Sequence, residues 1–278
     1  MNEKKGNSKK DNFGYQLLDS GNGLKLEKIG EYTLIRPSSL AIWKQDNPQL
    51  WNSTNSRFIH TQGWSKNLPD WQIQLNNKQK FICRLQDNGQ IGLFPEHYNY
   101  LNQLTEFLEP TDEALSLFAY TGLASVALSP YCKRLTHVDL SKRCLTWAKE
   151  NFELNKINNI RLISEDALEF LRKEIKREKT YQLIILDPPS FSRITKNKTW
   201  ELEQELTTFC ELVSKLIDKK RGLICFTSHL QAGSVNIVEN LFWDIFKDQA
   251  NYQKQMLDLV ERSTNRSIPC SGLNLIRI

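Results

Sequence analysis

Residues 181–191, YQLIILDPPSF, limit what this chain can fold into more than any other stretch. Leu183–Leu186 is apolar without alternation, as expected of a strand covered on both faces inside a parallel sheet. Pro188 and Pro189 have no N–H for a ladder, so the strand must stop at Asp187. An acid in that position sits at the edge where open α/β sheets bind their ligands. Phe191 follows just beyond, with no periodicity that would bury its ring. A buried strand closed by a proline turn would leave the same trace, so the neighbouring segments have to distinguish the two.

Those segments form a series. Apolar strands are expected at 115–119, 135–139, 160–163 and 222–227, with helix-spaced segments at 123–132, 168–177, 200–217 and 235–246. Ser141 is placed to cap a further helix carrying Leu145, Ala148 and Phe152 on one face. Residues 256–261 and 273–278 read as a closing antiparallel pair. Strands alternating with helices predict right-handed crossovers and an α/β fold with a doubly wound, mostly parallel sheet. Asp139 ends the second strand, Asp166 follows the third and Asp187 ends the fourth, so all three are expected along one carboxyl edge. An acid after the second strand suits the hydroxyls of a ribose, and Asp166 suits an adenine amino group; singly, each reads as a helix cap or turn acid. Residues 120–125, YTGLAS, hold one Gly rather than G-x-G-x-x-G. That disfavours a pyrophosphate and favours a cofactor without phosphates, such as S-adenosylmethionine.

Residues 13–97 have a different texture. Alternation at 24–27, 32–35 and 71–75 predicts short β segments. Asp87-Asn88-Gly89 predicts a hairpin between 80–85 and 90–94, because Asn-Gly accepts positive φ. Trp43, Trp51, Trp64 and Trp71 fall here. They could offer bases a stacking surface, but large rings filling a thin core are the expected reading. The division expected is a disordered tail at 1–12, a β-rich domain at 13–97 and a catalytic domain at 98–278.

Charge and cysteine usage narrow the partners. The net charge is +5, and Lys4, Lys5, Lys9 and Lys10 against Glu3 supply much of it. The body is therefore near neutral, and any RNA contact must be a local patch. Six scattered Cys without a CxxC pair argue against zinc and disulfide frameworks, so no metal is expected. No apolar run reaches the length of a membrane span, and the Lys-rich start has no apolar segment. A cytoplasmic protein away from the membrane is expected.

Five motifs now stand in order: Phe118-Ala-Tyr-Thr-Gly, Val138-Asp-Leu-Ser, Trp147-Ala-Lys-Glu-Asn, Glu165-Asp-Ala-Leu-Glu-Phe-Leu and Asp187-Pro-Pro-Ser-Phe. Their sequence and spacing resemble the class I S-adenosylmethionine-dependent methyltransferases related to the bacterial large-subunit rRNA methyltransferases. Leu18-Asp-Ser-Gly, Lys25-Leu-Glu, Arg36-Pro, Ala41-Ile-Trp and Gly92-Leu-Phe-Pro-Glu resemble a subgroup of the same family. The resemblance implies S-adenosylmethionine as cofactor and rRNA as substrate. It implies that Tyr120, Thr121 and Gly122 form the loop under the methionine part of the cofactor. Asp139 with Leu140 would meet the ribose, and Asp166 with Ala167 the adenine. Asp187, which also borders the cofactor, and Pro188 would meet the base being methylated, with Phe191 stacking on it. Arg193, Lys196 and Lys198 would lie at the mouth of the site, in reach of phosphates.

There is one departure. Relatives that methylate cytosine C5 resemble a pattern with a nucleophilic Cys just past the fifth strand, where this chain has Ser228 in Phe226-Thr-Ser-His. Cys225 lies inside the strand and is expected in the core. Ser228 is therefore expected beside the substrate but not as a nucleophile, and a base nitrogen is favoured over C5 as acceptor. His229 could be a base or a base-binding group, although a lone His is more often structural. Methylation of protein or of a small molecule, and a non-catalytic RNA-binding factor that keeps the cofactor site, are the alternatives.

Overall fold

Leu183–Leu186 does become the centre of a sheet. The computed structural model describes residues 13–76, 78–195, 198–229 and 234–278, and it describes no side chain for 191–200 or 234. The tail at 1–12 and Lys196 lie outside the described residues, as do the side chains of Phe191, Arg193 and Lys198. The described chain divides into two units: residues 13–92 with 261–265, and residues 93–260 with 266–278.

In the first unit, β1 (Tyr15–Gly21), β2 (Leu24–Ile29) and β3 (Tyr32–Pro37) form an antiparallel meander. It is extended by β4 (Ser56–Ile59), parallel to β3, and by the short β5 (Gly63–Trp64). A separate antiparallel pair joins β6 (Trp71–Gln74) to β7 (Lys80–Cys83). The hairpin expected around Asp87-Asn88-Gly89 is only a turn. Gln86 N–H donates to Gln90 O at 2.9 Å and Arg84 N–H to Ile91 O at 3.2 Å, but these bonds do not extend into a strand at 90–94, and the partner of β7 is β6. Gly89 is required there: its φ is +81°, and a Cβ would come within 2.6 Å of the Phe58 ring.

The tryptophans are part of the structure of this unit. The indole N–H of Trp43 donates to Ser20 O, that of Trp51 to Asp19, that of Trp64 to Gln86 O and that of Trp71 to Ile29 O. A ring anchored at its polar atom is oriented by its own unit, as a core-filling role requires.

The second unit begins with α1 (Tyr98–Phe107). There follow β8 (Glu113–Leu117), α2 (Leu123–Leu128), β9 (Arg134–Asp139), α3 (Lys142–Leu154), β10 (Ile160–Ser164) and α4 (Ala167–Lys176). Then come β11 (Leu183–Leu186), the hairpin β12 (Phe191–Thr195) and β13 (Lys198–Glu201), α5 (Leu202–Leu216), β14 (Leu223–Ser228) and α6 (Ser234–Phe246). The chain closes with β15 (Asn251–Val260) and β16 (Ser267–Arg277), the antiparallel pair expected from the sequence. Seven strands form one sheet in the order β10-β9-β8-β11-β14-β16-β15, parallel except for β16. Periodicity explains how the helices cover it. Leu202, Leu206, Phe209, Cys210, Val213 and Leu216 are the buried stripe of α5, at 3.6-residue spacing. They join Phe170 and Leu171 of α4 in one core with β8 and β11. Truncating Phe209, which is fully buried, would cost about 3–5 kcal/mol.

Candidate active site

The strand order reverses between β8 and β11: β8, β9 and β10 run to one side, β11 and β14 to the other. Loops that leave two such strands in opposite directions open a crevice at their carboxyl ends. Register aligns that edge. Leu117 pairs with both Val138 and Leu186, Leu186 with Phe226, and Asp139 with Ser164. The residues next in the chain therefore emerge together: 118–122 after β8, 139–141 at β9, 187–190 after β11, and 227–229 at β14.

The loop after β8 has an uncommon backbone. Phe118 and Tyr120 have φ of +53° and +51°, and Gly122 follows at +92°. Left-handed non-glycine residues are sparse and strained, so their surroundings must hold them. Tyr120 N–H donates to Asp139 Oδ2 at 2.8 Å, and Asn151 Nδ2 donates to Thr121 O at 3.0 Å. A Cβ on Gly122 would stand 3.0 Å from the Phe152 ring of α3. The loop is thus pinned from β9 and α3. Asn151, fully buried, closes the motif Trp147-Ala-Lys-Glu-Asn; its part in building the site was not read from the sequence, where its signal was an amide on the apolar face of α3. His137 backs the same region from β9. Its Nδ1 lies 2.8 Å from Ser125 Oγ, and burial pushes its pKa down to about 3, so the ring is neutral.

Asp139 ends β9 half-buried and accepts N–H bonds from Tyr120 and Ser141, both at 2.8 Å, with Leu140 also contributing. Burial pushes its pKa up against the pull of those bonds. Three neutral donors leave a carboxylate with acceptor capacity for a diol. Leu140 is exposed beside it. Asp166 is the N-cap of α4, accepting from Glu169 N–H at 3.1 Å, so its cap role is visible and one oxygen is engaged. Ala167 is buried in the core at the start of α4.

Asp187 is the most crowded of the three. Its Oδ1 accepts from the Thr227 hydroxyl and lies 3.1 Å from His229 Nε2, while Oδ2 lies 3.5 Å from His97 Nδ1. Burial opposes its ionisation, but the two imidazoles and the Thr227 hydrogen bond outweigh it, and the carboxyl is held well below the usual range. His97 is buried in the turn Pro95–His97, and the Phe94 ring packs 5.6 Å from both His97 and His229. Sequence reasoning did not find His97, since no local pattern links it to Asp187. Among the described residues this trio is the one cluster whose ligand-type atoms lie within 4.8 Å of one another. Pro188 is buried next to it. Ser228, expected beside the substrate, is fully buried, and His229 one residue later is the partly exposed side chain. Cys225 is also fully buried, with burial pushing its thiol far up, so it supplies no thiolate.

The residues present suit S-adenosylmethionine: an acid with spare acceptors beside a pinned loop at a switch point, and no long glycine cradle for phosphates. Fold, strand order and acidic edge define the chain as a class I S-adenosylmethionine-dependent methyltransferase. It belongs to the family described as Conserved hypothetical protein 95, whose model matches residues 98–240. The S-adenosylmethionine-dependent methyltransferase from Agrobacterium tumefaciens is 29% identical with a TM-score of 0.87, over 95% of this chain and 90% of that one. SMU.776, solved in complex with SAH, shares the fold at 20% identity and a TM-score of 0.79, over 96% of this chain and 76% of its own. The ribosomal RNA large subunit methyltransferase K/L of Pseudoalteromonas atlantica is 34% identical over 158 residues, 56% of this chain. The present chain spans only 22% of that relative's length.

Proposed function

We propose that the protein transfers the methyl group of S-adenosylmethionine to a nitrogen of an RNA base, with large-subunit rRNA as the substrate. Asp139 holds the ribose hydroxyls of the cofactor, residues 120–122 lie under its methionine part, and Asp166 takes the adenine. When bound, the cofactor supplies an electrophilic methyl on a sulfonium. Asp187 and Pro188 border the acceptor, and Phe191 stacks on the base. Arg193, Lys196 and Lys198 are the cations proposed to contact RNA phosphates. Alignment of acceptor and methyl, with water excluded, is then the main catalytic task.

The observation that supports the choice of nitrogen is the burial of Cys225 and Ser228, so that neither offers a nucleophile to activate cytosine C5. The curated relatives named for large-subunit rRNA support the substrate class. Among the described residues no helix is long and apolar enough to cross a membrane, which fits work on RNA in the cytoplasm.

The test is transfer of labelled methyl to total RNA and total protein from cells lacking the gene, followed by digestion to nucleosides and amino acids. Label in large rRNA as an N-methyl base is expected. Label as 5-methylcytidine, or in protein alone, would overturn the acceptor. Phe191→Ala should leave cofactor affinity within about twofold and slow transfer by about tenfold or more, because base–aromatic stacking contributes about 1–3 kcal/mol.

A further inference from the structure

Two imidazoles flank one carboxylate at the end of β11, and only one of them is open. The side chain of His229 is 26% exposed and that of His97 8%. We infer that His229 is the base that takes the acceptor's proton, with Asp187 and His97 as positioning residues. The inference rests on the methyl-transfer reading above and narrows its substrate to an acceptor nitrogen that carries a hydrogen.

The geometry fixes which nitrogen of His229 does this. An ionised carboxylate has no proton to give, so the hydrogen in the 3.1 Å contact belongs to His229 Nε2. The neutral ring then carries its lone pair on Nδ1. The carboxylate cannot turn away readily, because Thr227 donates to Oδ1 and His97 stands at Oδ2. Phe94 packs against both imidazoles, whose centroids are 5.7 Å apart. Carboxylate, imidazole and open nitrogen in series is the arrangement by which an acid sets the tautomer of a general base.

The transfer balances simply. The lone pair of the acceptor nitrogen forms the new N–C bond, and the methyl–sulfur bond breaks with its electron pair on sulfur, leaving S-adenosylhomocysteine. The hydrogen on the acceptor nitrogen leaves as a proton to His229 Nδ1 and passes on to water. A base such as an exocyclic amine or a ring N–H needs this acceptor, whereas cytosine C5 would first need a nucleophile, which the buried Cys225 and Ser228 do not supply.

The groups facing His229 set the pH at which it works. They are Asp187 after β11, and Glu96 and His97 in the turn Pro95–His97, with Cys225 and the Tyr100 hydroxyl behind Asp187. Burial pushes the His229 pKa down, but the hydrogen bond and charge of Asp187, aided by Glu96, hold it above the usual 6.5. The base form therefore grows as pH rises through a value higher than that of a free histidine. The same three side chains have the make-up of a transition-metal site, but the two donors already on Asp187 Oδ1 suit a proton path better.

The experiment uses the full chain. Single-turnover methyl transfer would be followed against pH for wild type, His229→Gln and His229→Ala, with cofactor affinity measured separately by calorimetry. Nitrogen-15 NMR of the four histidines of the cofactor-free protein gives the tautomer of His229. Expected are a rising limb with its midpoint above pH 6.5, about a hundredfold loss of rate in both variants, and loss of that limb. Imidazole should partly rescue His229→Ala but not His229→Gln, cofactor affinity should stay within about twofold, and Nε2 should carry the hydrogen. Unchanged rate and pH profile in His229→Gln would overturn the inference. So would a hydrogen on Nδ1, or activity that disappears on chelation and returns with zinc or manganese alone. If wild type methylates neither RNA nor protein, the functional reading fails, and the tautomer alone then decides whether the Asp187–His229 pair is built as stated.

Discussion

Buried acids occur in both units, and they differ in what remains after the chain has satisfied them. In the first unit Glu27 is fully buried, taking the Tyr15 hydroxyl at 2.9 Å, Arg36 at 2.7 and 2.9 Å, and Lys25 at 3.2 Å. Asp19 is likewise occupied, by the N–H groups of Ser20, Asp46 and Asn47 and by the indole of Trp51. These carboxylates face cations and donors of their own unit and hold its strands and loops. Asp139 and Asp187, at the carboxyl edge of the second unit, remain partly open to a ligand. Among the described residues Asp139 meets N–H groups and no cation, and Asp187 is tied to imidazoles, one of them partly exposed. An acid whose oxygens are filled by donors of its own unit is part of the frame; an acid on an open edge with acceptors or a titratable neighbour in hand is part of the chemistry.

The largest effect expected is on the frame. Arg36→Met removes two hydrogen bonds to Glu27, its main counter-charge and a bond to Gly89 O, leaving a carboxylate in a dry site with Lys25 and Tyr15. Breaking such a pair costs about 3–5 kcal/mol of stability. Burial raises the pKa of Glu27, but Arg36 and Lys25 more than reverse it and hold it at about 2, below the reference 4.5. A depressed acid contributes stability that is complete above pH 4.5 and lost as pH falls toward about 2. The gap between wild type and Arg36→Met in urea unfolding should therefore be full at pH 7 and shrink through that window. Cofactor affinity per folded molecule should stay within about twofold. A large loss there would break the distinction between the two sets of acids.

The next effect falls on the chemistry. Asp139→Ala should lower cofactor affinity by about a hundredfold or more, about 2.7 kcal/mol, since it removes the acceptors proposed for the diol and one anchor of the strained loop. Urea unfolding should move by no more than about 1–2 kcal/mol. Calorimetric binding that survives the substitution would show that the acid of β9 belongs to the frame after all.

These contrasts were unevenly legible in the sequence. Asp139 and Asp187 could be placed because each ends an apolar run, and strand register then lines up what the chain order only suggests. The cap role of Asp166 was equally readable, from its place ahead of helix-spaced Leu168 and Leu171. The pairing of β7 was not. An Asn-Gly turn predicts that the chain reverses, but not how far the two arms stay paired beyond it. The His97–Asp187–His229 cluster was hidden for a different reason, because three segments far apart in the chain meet only once the sheet has formed. Of the four tryptophans expected as filling side chains, Trp71 lies in the core and Trp43, Trp51 and Trp64 are part-buried, and the sequence could not show that each indole N–H would find an acceptor in its own unit.

The smallest effect sharpens the comparison most, because it separates the loop from the acid that touches it. Asn151 is as buried as Glu27, yet it is neutral and its amide reaches a backbone carbonyl of the motif loop. Asn151→Ala removes the donor to Thr121 O. Losing a buried hydrogen bond of this kind costs about 0.5–1.5 kcal/mol of stability. The local consequence is a loop freer to relax from the positive φ at Tyr120, so that its ligand-facing atoms are no longer preset. Cofactor affinity should then fall by about tenfold, well short of the loss in Asp139→Ala, and the double variant should lose less than the sum of the two. Additive losses would mean that Asn151 and Asp139 act on separate parts of the site, and that the bond from Asp139 to Tyr120 N–H contributes little to holding the loop.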